Sequence, residues 1–399
     1  MTAGPIGSRD PPSASLARSI ARNGHSSTAT ASTRRASSRE RCNRDQHPQA
    51  SLSLEGDVRK DRDVSIRIIE GDCRTVLAGL PDGSVNCCVT SPPYFGLRDY
   101  GVAGQMGLEA TPAEFVAGMV GLFRDVRRVL RDDGTLWLNL GDTYQNAKGQ
   151  AGGVDPKQPA RRHGLRPQDV TIPGLKPKDL IGIPWRVAFA LQEDGWYLRQ
   201  DIIWSKPNPM PESVRDRCTK AHEYIFMLSK SRQYFYDNEA IKEPMSLSSV
   251  ERLSQDVEAQ TGSACVPGKT NGTIKAVGKV DKQRGHGRRH AGFNDRWDAM
   301  ERAEQCTGLR NKRSVWEVAT QPFSEAHFAT FPPALIEPCI KAGCPTGGTV
   351  LDPFGGAGTT GLVADRLQRN AILIELNPAY AEMARKRLTG DAGMFAEVA

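Results

Sequence analysis

Strand-period and helix-period apolar patterns alternate along this chain from residue 65 onward, and this alternation constrains the fold more than any other feature. Residues 65–72 (SIRIIEGD) alternate like a strand and end in a Gly-Asp turn. A short helical stretch, CRTVLAGL, follows, and residues 84–90 (SVNCCVT) make a second strand. In residues 111–130 (TPAEFVAGMVGLFRDVRRVL), Phe115, Met119, Leu122, Val126 and Val129 recur at helical spacing, with Thr111 and Glu114 set as a capping box. Further strand patterns lie at 134–142 (GTLWLNLGD), 196–206, 223–231, 348–354 and 371–376. Helical stretches occupy 361–367 and the run PAYAEMARKRL. Strands alternating with helices bury both faces of a sheet, which predicts an α/β fold with a mostly parallel sheet.

Two stretches break the pattern. Residues 1–62 are rich in Ser, Arg, Ala and Thr and contain no Phe, Trp or Tyr, a composition that cannot bury a core and predicts a disordered tail. Its Arg/Ser bias is shared with organelle transit peptides, but Asp10, Glu40, Asp45, Glu55, Asp57 and Asp61 and the lack of an amphipathic stripe favour a charged, flexible tail. Residues 63–399 then form one domain, interrupted at 242–313 by a polar, basic stretch that includes Lys282, Arg284, Arg288 and Arg289.

No apolar run approaches the roughly 18 residues that span a bilayer. The net charge of +7 suits a polyanionic partner. Nine cysteines occur without any Cys-x-x-Cys pair. This odd, scattered set predicts reduced thiols in a cytoplasmic compartment and no metal site.

Residues 350–361 read VLDPFGGAGTTG: a buried strand, a Gly-rich turn, then a helix. Glycines let the backbone approach a ligand, and a helix N-terminus offers N–H groups and partial positive charge. Glu375 ends the next strand, where a carboxylate can accept hydrogen bonds from both hydroxyls of a ribose. The spacing Gly356-x-Gly358-x-x-Gly361 also fits a dinucleotide fingerprint, leaving an NAD-dependent oxidoreductase as an alternative. Against it, this unit comes at the very end of the chain, with no room for the rest of a dinucleotide fold. A phosphate P-loop would need a Lys-Ser/Thr pair, which is missing.

Residues 89–101 read VTSPPYFGLRDYG and follow a strand, so Ser91, Pro92, Pro93 and Tyr94 fall at a strand's carboxyl end, where open α/β sheets place ligand crevices. The exocyclic amino group of a base is a poor nucleophile because its lone pair is delocalised into the ring. Acceptors at its two N–H groups favour a more tetrahedral nitrogen, and the Ser91 hydroxyl and Pro92 carbonyl can supply them. The prolines stiffen the loop, and Tyr94 offers a flat face for an extruded base. Arg98, Asp99 and Asp142 read either as pocket residues or as salt-bridging surface charges.

Together the two blocks resemble the amino-methylating DNA methyltransferases, in the circularly permuted order called the β class. The resemblance covers about 65–388. It implies a Rossmann-like methyltransferase fold with a seven-stranded sheet, S-adenosylmethionine (AdoMet) as cofactor and double-stranded DNA as substrate. It also leaves a place for a cognate restriction endonuclease. Asp352, Phe354, Gly356, Gly358 and Thr359 match the family's AdoMet loop, and Glu375 matches its ribose-binding acid. Asp72 is similar to the carboxylate at the adenine moiety. Residues 327–333 (HFATFPP), with Phe331, resemble the segment on the methionine end. The target-recognition region would be the 242–313 insertion, with Lys282, Arg284, Arg288 and Arg289 on DNA. Serine at position 91 is the form seen more often in N4-cytosine enzymes; N6-adenine is the alternative. A C5-cytosine mechanism would need a cysteine nucleophile, and Cys339, in the helix-like run ALIEPCIKAG, reads as a small buried apolar residue.

Overall fold

A computed structural model describes residues 64–146, 171–254, 307–321, 330–392 and 397–398. The tail at 1–62 lies outside these residues, as do Lys282, Arg284, Arg288 and Arg289.

The two chain periods are realised as a sheet between two helical layers. In the order β11-β1-β10-β9-β2-β3-β5-β4-β8, the strands are β1 (Ser65–Glu70), β2 (Val85–Thr90), β3 (Leu130–Leu140), β4 (Tyr197–Ser205), β5 (His222–Ser229), β8 (Val315–Glu317), β9 (Thr349–Asp352), β10 (Asn370–Glu375) and β11 (Glu397–Val398). Seven of them match the expected sheet. The short strands β8 and β11 extend it at the two edges, so the sheet has nine strands among the described residues. β5 runs antiparallel to both β3 and β4, and the other pairings are parallel.

Successive side chains of one strand enter different cores. Leu136, Leu138 and Leu140 of β3 join the core with α1 (Cys73–Ala78), α2 (Pro112–Val129) and α3 (Ile183–Glu193). Trp137 joins the opposite core with α5 (Pro333–Gly343), α6 (Thr359–Arg366) and α7 (Pro378–Ala392). Both faces are therefore dry, and each fully buried large side chain contributes roughly 1.5–3 kcal/mol. α2 starts as its sequence predicts. Thr111 Oγ1 accepts the Glu114 N–H at 3.2 Å, while the Glu114 carboxylate reaches back to the Ala110 N–H at 3.1 Å.

β3 begins at Leu130, earlier than the pattern at 134–142 implied, because Leu130 already pairs with Val85 before a register shift. Within the basic stretch, α4 (Leu247–Ser254) is helical. There β6 (Glu243–Pro244) pairs with β7 (Leu309–Arg310), drawing the two ends of the segment together. Glu243 Oε1 accepts from Arg310 Nε at 3.0 Å and Arg313 Nε at 2.7 Å. No helix among the described residues is long and apolar enough to cross a membrane.

Candidate active site

The parallel strands β1, β10, β9, β2 and β3 all end at one edge of the sheet, and each delivers chemistry there. Asp72 follows β1, Glu375 closes β10 and Asp352 closes β9. Ser91 follows β2, and Asn139 lies near the end of β3. β9 pairs directly with β2 (Cys88 opposite Leu351), so the glycine loop and the Ser-Pro-Pro-Tyr loop emerge side by side although they are far apart in the chain.

Asp352 ties the two loops together. It is 1% exposed. Its carboxylate accepts from Thr90 Oγ1 at 2.6 Å, Thr360 Oγ1 at 2.6 Å and the Phe354 N–H at 3.0 Å. Burial pushes its pKa up, against the lowering effect of those three donors. One end of this bridge is the residue before Ser91; the other lies in the first turn of α6.

Glu375 supports the turn from the other side. Its Oε2 accepts the Gly356 N–H at 2.8 Å and its Oε1 the Asn377 N–H at 2.8 Å. Burial also raises this carboxyl's pKa. Each oxygen keeps lone-pair capacity, enough to receive a diol. Gly356 has φ +50°, and a Cβ built there would meet nothing closer than the Phe354 carbonyl oxygen at 3.8 Å. The turn is thus an open cradle beside a pair of acceptors, which suits a nucleoside such as that of AdoMet. Asp72 sits at the same edge, capping α1 through the Arg74 N–H at 2.9 Å and pairing with the Arg74 guanidinium. The hydrogen bond to Arg74 lowers its pKa. Thr359 is buried, and its hydroxyl accepts from Arg387 Nη1 at 2.9 Å. Phe331 is half-buried at the start of α5, against the α5–α7 core.

Tyr94 is fixed from two directions. Its ring lies against Gly141, where a Cβ would come within 2.4 Å of Tyr94 Cε2. Its hydroxyl lies 2.7 Å from Glu223 Oε2 and 3.1 Å from Asn139 Oδ1, and Ser91 Oγ lies 3.4 Å from it. Burial raises the pKa of this phenol well above its ordinary value, and the charge of Glu223 adds to the effect.

A protein-family model described as DNA methylase matches residues 85–386 of this chain. The type II methyltransferase M.XycI of Xanthomonas campestris pv. cyanopsidis is 48% identical over 323 residues, covering 81% of this chain and 87% of that protein. M.SmaI of Serratia marcescens, also a type II methyltransferase, is 44% identical over 346 residues, covering 87% and 97%. The chain belongs to the DNA methylase family. Among solved structures, the Thermus thermophilus protein TTHA0409 complexed with S-adenosyl-L-methionine matches with a TM-score of 0.47 and 22% identity, over 84% of this chain and 99% of that one.

The methylase is an AdoMet-dependent DNA amino-methyltransferase of the N4/N6 family. That sets aside the dinucleotide reading of the glycine spacing. Cys339 lies in α5, 1% exposed, with its thiol pKa pushed up by burial. Asp142 is a helix cap: its carboxylate accepts the N–H groups of Thr143, Gly182 and Ile183 at the start of α3. Asp99 closes a turn onto the Gly101 N–H at 2.8 Å.

Sequence reasoning missed a polar group behind the Ser91 loop: Asn139, Lys206, Lys220 and Glu223. Lys206 pairs with Glu223 Oε1 and lies 4.1 Å from the centroid of the Trp204 ring. Lys220 Nζ donates to the Asp142 carbonyl at 2.7 Å, and burial lowers its pKa. The only signals were the strand patterns at 134–142, 196–206 and 223–231, which do not encode which strands are neighbours or which way each one runs.

Proposed function

We propose that the methylase transfers a methyl group to the N4 amino nitrogen of cytosine in double-stranded DNA, alongside a cognate restriction endonuclease. Serine at position 91, at the carboxyl end of β2, carries the choice of base. The pairing with an endonuclease rests on the relatives named as type II methyltransferases.

The target base leaves the duplex at a cost of roughly a few kcal/mol. Its ring stacks on Tyr94, which Gly141 and the contacts at its hydroxyl hold in one position. Ser91 Oγ and the Pro92 carbonyl accept the two amino N–H bonds, and Pro93 keeps the loop rigid. Glu375 receives the ribose hydroxyls of AdoMet. Gly356, Gly358, Thr359 and Phe354 line its turn, Asp72 meets its adenine end, and Phe331 its methionine end. Bound there, AdoMet supplies a methyl group made electrophilic by a sulfonium. The protein's own contribution is alignment of the amino nitrogen with that methyl group. Asp352 acts through the loops it ties together. The 242–313 segment, with Lys282, Arg284, Arg288 and Arg289, contacts DNA phosphates and base edges, and the β6–β7 pairing gives it a fixed base.

Methylation of unmodified DNA with labelled AdoMet, followed by nucleoside mass spectrometry, tests the reading. N4-methylcytosine is expected. N6-methyladenine would overturn the choice of base, and the absence of any methylated base would overturn DNA as substrate.

A further inference from the structure

We infer that Glu223 is a positioning residue for methyl transfer, acting through the Tyr94 hydroxyl to set the direction of the Ser91 hydroxyl. The inference rests on the reading above, in which Ser91 accepts an N–H of the target amino group.

A hydroxyl has one proton to give. Tyr94 OH has two acceptors in reach, Glu223 Oε2 at 2.7 Å and Asn139 Oδ1 at 3.1 Å. The shorter contact, to the charged group, takes the proton. The phenol oxygen then remains an acceptor, and Ser91 Oγ, at 3.4 Å, donates to it. With its proton turned inward, Ser91 keeps its lone pairs for the amino group of the base. Glu223 ends this chain because a carboxylate paired with a lysine offers only acceptor oxygens, and Lys206 holds the other one. Glu223 and Lys206 are 16% and 17% exposed, and Trp204 backs the lysine. Asn139 is itself oriented by its amide donating to the Tyr224 carbonyl at 3.0 Å.

Reversal of this chain would be costly. An amide at position 223 can donate to Tyr94. The Tyr94 proton would then be shared between Asn139 Oδ1 and Ser91 Oγ, and whenever it goes to Ser91, Ser91 points its own proton at the amino group it has to receive. Glu223→Gln keeps the shape of the side chain and removes the fixed direction. Glu223→Asp keeps the direction with a shorter reach.

Single-turnover methyl transfer, AdoMet affinity and KM for DNA should be measured for Glu223→Gln, Glu223→Asp, Tyr94→Phe, Ser91→Ala and the double variant Tyr94→Phe/Glu223→Gln. Glu223→Gln should lose about 10- to 100-fold in kcat, the range of one hydrogen bond to a charged group. AdoMet affinity and KM should stay within about twofold, and Glu223→Asp should recover most of the rate. The double variant should be no slower than Tyr94→Phe, since both changes cut one chain. Wild-type kcat in Glu223→Gln, or losses that multiply in the double variant, would overturn the inference. Should Glu223→Gln fail to fold, wild-type kcat in Tyr94→Phe would overturn it equally. Ser91→Ala at wild-type rate would instead overturn the reading on which it rests, whereas a dead Ser91→Ala beside a normal Glu223→Gln would sink this inference alone.

Discussion

Glu375, proposed above to receive the ribose of AdoMet, is also a residue through which pH should act on cofactor binding. Burial raises its carboxyl pKa above the ordinary range, against the N–H groups of Asn377 and Gly356. The folded protein therefore protonates this group at a higher pH than a free glutamate. Protonation turns one oxygen into a donor and removes the charge that strengthens both as acceptors. AdoMet affinity should thus be full above the raised value and fall as pH drops through it, sooner than an unperturbed carboxylate would allow. Glu375→Gln should bind AdoMet more weakly and lose that pH dependence. Calorimetric titration over a pH series checks both, and a wild-type affinity indifferent to pH would remove Glu375 from cofactor contact. Glu375 could be singled out in advance because the proposal for it depends on local order: a glycine turn, a helix, a strand and an acid at that strand's end. Glu223 has no such local signature. Its significance comes from facing Tyr94 across 129 residues.

At the level of elements, one buried carboxylate joins β2 to β9 and α6. Asp352→Ala would leave the Thr90 and Thr360 hydroxyls and the Phe354 N–H without their acceptor. Unsatisfied buried groups cost about 1–3 kcal/mol each, so the loss should be at least about 3 kcal/mol. Urea denaturation would register it, and a loss under about 1 kcal/mol would mean that water or a local shift satisfies the donors. AdoMet binding should weaken in the same variant, because the glycine turn and the Ser91 loop would no longer share an anchor. Most of the elements themselves were legible as patterns: α2, for instance, through Thr111 and its apolar stripe. Their limits were less so, since β3 gains its first residues from pairing with β2 rather than from its own alternation.

For the whole molecule, the net charge of +7 and the basic residues at 242–313 predict DNA binding that weakens steeply with salt. Replacing Lys282, Arg284, Arg288 and Arg289 together by alanine should lower the slope of log affinity against log salt by about one per lost phosphate contact. AdoMet affinity should not change. Filter binding across a salt series measures the slope, and an unaltered slope would remove these four residues from the DNA interface. By itself the sequence determined the α/β class, the two chemical loops at strand ends and the family to which they belong. Each of those is written within short stretches, in the period of apolar positions and in the placement of glycine and proline. Tertiary structure alone decided which strands are neighbours and which way each one runs. Period-2 alternation states that a segment is a strand and says nothing of partner or direction, because pairing is settled by burial on both faces of the complete sheet. The insertion of β9 and β10 between β1 and β2 set Asp352 beside Thr90, and the reversal of β5 brought Glu223 to the edge where Tyr94 waits.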